Sequence, residues 1–114
     1  MAIIIQTKNP ILLLKQLNIA INSGNIQTWY LDQDGDYTIS RPKWFQHAWF
    51  RPYINENNKS LTFGIVQSSV YPVTRQLYGV YHGRFVATLL SYFDYLMDEV
   101  EISPLINTEY DIVK

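Results

Sequence analysis

Apolar residues recur along this chain with two different periods, and the switches between them divide it into helix, sheet and helix. From Arg75 to Val100, on a wheel of about 100° per residue, Tyr78, Tyr81, Phe85, Leu89, Tyr92 and Leu96 fall within about 40° of one direction. Gln76, Gly83, Ser91, Asp94 and Asp98 occupy the opposite side. That is the stripe of a surface helix laid on a core. Gly79 and Gly83 interrupt it, each costing up to ~1 kcal/mol against alanine in a helix interior. Because Tyr78 and Tyr81 keep the phase, the spacing predicts a helix beginning near Thr74. An earlier helix is predicted over residues 11–22, with Asn9 as N-cap, Pro10 at its first position and Ser23-Gly24 as its stop. Leu13, Leu14, Leu17, Ala20 and Ile21 form its main apolar face, whereas Leu12 and Ile19 point nearly the other way, which implies cover on two sides.

Between the helices the period becomes two. Residues 26–31 and 36–40 read as paired strands joined by Asp32-Gln33-Asp34-Gly35, a strong hairpin signal. Residues 48–54 give a third strand, with Pro52 marking an edge or bulge, and residues 61–67 a fourth, with Leu61, Phe63 and Ile65 on one face. Residues 3–7 are β-branched and fit a leading strand or a lead-in to the first helix. The tail, residues 101–114, contains Pro104 and no clear period, and is expected to be loosely docked or frayed. The expected fold is a single α+β domain over residues 1–114. It is a two-layer sandwich in which a four-stranded antiparallel meander carries both helices on one face, in the order α-β-β-β-β-α.

Composition narrows the function classes. At 114 residues, with 47% hydrophobic and 17% charged residues, the chain can bury a core without staples. No cysteine is present, so disulfides, thiolate metal sites and cysteine nucleophiles are impossible. Nine basic against ten acidic residues argue against a phosphate backbone as the main partner. No apolar run reaches the ~18 residues of a membrane span, and residues 2–5 are too short for a signal-peptide core, so a cytoplasmic protein is expected.

Candidate chemistry is sparse. Asp32, Asp34 and Asp36 fall within five residues, but Gly35 is fourth and Lys43 twelfth counting from Asp32, which fails the calcium-loop pattern. A solvated hairpin turn is the better reading, and no metal ligand or cofactor is assigned. His82, at the shoulder of the long helix's stripe, is the side chain best suited to proton transfer, with Arg84 beside it. No orienting carboxylate or Gly-x-Ser-x-Gly elbow accompanies it, so no catalytic residue is assigned. The remaining constellation is aromatic and basic: Trp29, Tyr37, Arg41, Lys43, Trp44, Trp49, Arg51 and Tyr53. Alternation sets Trp49, Arg51 and Tyr53 on one sheet face, where they could cover the sheet, meet a protein or stack single-stranded bases.

The expectation is therefore a non-enzymatic interaction or regulatory module, accessory, antitoxin-like or immunity-like, that binds another protein or itself as a homodimer. The candidate binding residues are Trp29, Arg41, Trp44, Trp49, Arg51, Tyr53, His82 and Arg84. Single-stranded nucleic-acid binding through the aromatic sheet face is the first alternative. A small-ligand or enzymatic site around His82 and Arg84 is the second.

Overall fold

The computed structural model describes residues 1–113. Side-chain caps set both helix starts. Asn9 Oδ1 accepts from the Leu12 amide at 3.0 Å to open α1 (Pro10–Asn22), and Thr74 Oγ1 accepts from the Leu77 amide at 3.1 Å to open α2 (Arg75–Phe93). Gly24, in the left-handed region at φ 86°, follows the end of α1. α2 runs through Gly79 and Gly83, both of which face open space.

Six strands form one antiparallel sheet: β1 (Ile3–Gln6), β2 (Trp29–Leu31), β3 (Tyr37–Ile39), β4 (Ala48–Asn55), β5 (Ser60–Gln67) and β6 (Glu99–Ile102). Their order is β2-β3-β4-β5-β1-β6. The α+β class and the two helices match the sequence reading. The expected four-stranded meander is β2 to β5, and two strands extend it. β1 pairs with β5 and receives β6 on its other side, Ile3 opposite Phe63 and Ile102. β6 was hidden by the helical stripe, which continues in phase to Leu96. α2 actually stops at Phe93, gives one 3-10 turn over Asp94–Leu96, and hands on to a strand. With Glu99 and Glu101 exposed along this edge, β6 resists pairing with a further strand.

The core lies between the sheet and the helices. Ile3, Ile5, Leu61, Phe63, Ile65, Phe50, Tyr37 and Trp29 from the sheet meet Leu13 and Leu17 of α1 and Leu77, Tyr81, Phe85, Leu89 and Phe93 of α2 in one cluster. Phe85 is its hub, 4.7–4.8 Å by ring centroid from Phe63, Phe50 and Trp29. Burying one such ring contributes roughly 1.5–3 kcal/mol. Tyr92, in phase with the stripe, is nonetheless exposed on the last turn of α2.

Tyr110 crosses the outer sheet face directly above Gly64, and Ile112 pairs in parallel with Val66, where β1 no longer covers β5. The Ile112 amide donates to Ile65 O at 2.8 Å and the Gln67 amide to Ile112 O at 2.9 Å. Between these bonds the buried Asp111 carboxylate accepts from the amides of Ile65 (2.8 Å) and Asn107 (2.7 Å) and lies 3.3 Å from the Met1 amino group. These bonds give the ladder groups of β5 partners beyond the end of β1. Lys114 lies outside the described residues. Among the described residues no helix is long and apolar enough to cross a membrane.

Candidate functional site: a cationic cleft beside strand β2

The loop from β3 to β4 supplies most of the site, and its shape is fixed by hydrogen bonds. Ser40 donates its amide to Thr28 O at 2.9 Å, which ties the start of the loop to the residue before β2. Arg41 O then accepts from the amides of both Trp44 and Phe45, closing a single helical turn. Gln46 takes the left-handed conformation at φ 59° and donates its amide to Thr38 Oγ1 at 3.0 Å. The far end is held by His47, stacked on Tyr71 with centroids 3.7 Å apart. Tyr81 of α2 donates its hydroxyl to Trp44 O, so the loop is also anchored from below.

Onto this platform α2 brings Arg84. One turn later Thr88 donates to Arg84 O at 2.9 Å and accepts from the Trp29 indole at 3.2 Å, fixing that part of the helix against β2. Thr28, Arg41, Lys43, Trp44 and Arg84 together line an open cleft of about 410 Å³. Three of the five are cations, and no carboxylate lines the cleft. Lys43 Nζ lies 5.5 Å from the centre of the Trp44 ring. Among the described residues the ion pairs are Arg51–Asp36 and the Met1 amino group with Asp111, so none of the three cations is neutralised by a carboxylate. Such a cluster attracts anions, and the arginine forks suit carboxylate or phosphate oxygens.

Of the sequence-predicted binding residues, the cleft gathers Arg41, Trp44 and Arg84, and the other five lie elsewhere. Trp29 is a core residue, its ring enclosed by Phe50, Tyr81 and Phe85. Trp49, Arg51 and Tyr53 do share the outer sheet face, since their partners on β5 are Val66, Gly64 and Thr62. Arg51, however, makes a two-pronged pair with the buried Asp36, Nε at 3.1 Å and Nη2 at 2.8 Å, and this hydrogen bonding stabilises its charged form. Tyr53 lies against Tyr110 with centroids 5.2 Å apart and bonds to its carbonyl at 3.3 Å. Trp49 is half-buried beside Asp32 and Asp34, an acidic neighbourhood that repels phosphate.

His82 is buried, being 3% exposed. Its ring stacks on Tyr78 at 4.0 Å and meets the edge of Phe50 at 5.0 Å. Nδ1 is 2.8 Å from Tyr78 O, and Nε2 contacts Met1 O. Burial lowers its pKa from the ordinary value, more than the two carbonyls raise it. His82 and Arg84 project on opposite sides of α2, one inward and one to the cleft, so they form no joint site.

Thr28 and Lys43 are the cleft residues absent from the sequence-derived binding set; only the position of Lys43 beside Trp44 in a mixed aromatic and basic stretch hinted at it, and nothing local marked Thr28. Among the described residues no group of histidines and carboxylates could hold a metal ion. Compared with protein-family models, curated proteins and solved structures, the chain matches none.

Proposed function

We propose that this protein is a non-enzymatic interaction module whose cationic cleft receives an acidic segment of another protein. The observation that supports this reading is the convergence of Arg41, Lys43 and Arg84, without a carboxylate partner, on a cleft walled by Trp44. Interfaces are enriched in arginine and tryptophan, and a charged patch of this kind steers a complementary partner. Binding is favoured over chemistry because the histidine is buried, with a backbone carbonyl against each ring nitrogen. The absence of cysteine fits a reducing, cytoplasmic setting.

Single-stranded nucleic acid fits less well. A strand binder needs a charged groove along many phosphates and aromatic faces free to stack bases. Here the cations are local, Trp44 is only 9% exposed, and the outer-face arginine is already paired.

The two ligands separate in a titration followed by tryptophan fluorescence, using a glutamate-rich peptide and a single-stranded oligonucleotide of similar charge over a series of salt concentrations. The acidic-partner reading expects saturable peptide binding that weakens about tenfold in the Arg41→Gln/Arg84→Gln variant. Oligonucleotide binding at low salt, with the peptide inert, would replace it by the nucleic-acid reading. No response to either probe would overturn the cleft as an anion site.

A further inference from the structure

We propose that a groove along α1 is the contact surface of a homodimer, in which a second copy of this chain lies face to face about a two-fold axis running along the groove. The groove has α1 as one wall and the segment from the end of α2 to β6 as the other. Ile19 and Ala20 of α1 stand across one cleft from Tyr92, and Leu12 stands across a second from Tyr95. Apolar surface is left uncovered along it: Ile19 and Tyr92 are each 49% exposed and Tyr95 72%. A contiguous exposed patch of this kind marks an interaction site.

The charges identify the occupant. Lys8, just before α1, stands on one wall and Asp98, just before β6, on the other; both are exposed and neither is in an ion pair. Lys8 and Asp98 line the same cleft, so they stand at one level of the groove. A two-fold axis along the groove sets Lys8 of each copy against Asp98 of the other. An axis across the groove would set like charges together. The patch is thus complementary to itself, as an isologous interface requires. A net charge of −1 adds little repulsion between copies. The strip is small, about 20 Å long for 13 helical residues and about two helix diameters wide, so the dimer is a weak, reversible one that forms at raised protein concentration.

Sedimentation velocity over a wide concentration series tests this. The wild type should sediment as a reversible monomer–dimer mixture. Lys8→Glu and Asp98→Lys should each weaken dimerisation about tenfold or more, and the double variant should regain most of the loss, since it restores opposite charges across the interface. Both side chains are exposed, and far-ultraviolet circular dichroism checks that the variants fold. A wild type that stays monomeric throughout, a dimer indifferent to the single changes, or a double variant no better than either single would each overturn the proposal. The cleft beside β2 takes no part in this experiment.

Discussion

The outer sheet face and the cleft beside β2 both combine arginine with tryptophan, yet the fold treats them differently. On the sheet face Arg51 is locked to the buried Asp36, and Tyr53 lies under the tail. In the cleft Arg41 and Arg84 meet no carboxylate. A charged side chain with a buried partner serves the fold, whereas one held without a partner is open to a ligand. What separates them is the position of three aspartates. Asp32, Asp34 and Asp36 all belong to the β2–β3 hairpin, at the far end of these strands from the loop that carries Arg41.

The sharpest way to break the sheet-face side of this contrast is to lift the tail. A Cβ at Gly64 would stand 2.0 Å from Tyr110 O, and a backbone atom cannot swing aside as a side chain can. Gly64→Ala should therefore destabilise the protein by about 2–3 kcal/mol and loosen the tail. Denaturant unfolding and limited proteolysis read both effects, and an unchanged midpoint would show that the strap contributes little. Next in size is Arg51→Gln, which leaves the Asp36 carboxylate buried with its main partner gone. Because Arg51 is partly exposed and water can approach, the expected loss is about 1–2 kcal/mol. Asp36→Asn in the same background should recover part of it.

How much of this was legible beforehand follows from which signals are local. The cap at Asn9, the helix start near Thr74, the Asp-Gly hairpin and the alternation in β4 and β5 each rest on a few adjacent residues, and each appears where the pattern places it. β6 and the tail strap depend on partners far along the chain: Ile3–Gln6 for one and the uncovered half of β5 for the other. No local period announces such pairings. The same holds for the site. Arg41, Lys43, Trp44 and Arg84 are all visible as residue types, but α2 brings Arg84 to the loop across some forty intervening positions. Gly79 and Gly83 interrupt the stripe in the sequence, yet the helix runs through both and the surrounding space is open. Gly79→Ala should accordingly stabilise the protein by about 0.5–1 kcal/mol in thermal unfolding, since the helix gains propensity and nothing is crowded.

His82 extends the contrast to a group that changes charge. Burial depresses its folded-state pKa below the ordinary 6.5. Its contribution to stability is then complete above pH 6.5 and declines as the pH falls below that value, because the unfolded chain takes up the proton first. The decline stops once the folded form also titrates. The groups facing the ring are the Met1 amino group, which opposes protonation, and Asp111, which favours it. Unfolding free energies between pH 7 and 5 should fall more steeply for the wild type than for His82→Gln. Parallel curves would mean that this histidine carries no titration-linked stability.

The smallest stability effect belongs to the cleft, and its smallness carries the meaning. Arg41→Gln and Arg84→Gln remove charges that no carboxylate balances and that support no buried carboxylate, so each should change the unfolding free energy by no more than about 0.5 kcal/mol. Removing one of three clustered cations also relieves mutual repulsion, which sets the direction: neutral to slightly stabilising at low salt, and fading as salt screens the cluster. Arg51→Gln, the same chemical change on the other face, destabilises under all these conditions. If Arg84→Gln instead cost as much as Arg51→Gln, Arg84 would be holding the fold together, and the cleft would lose its claim to be a binding site.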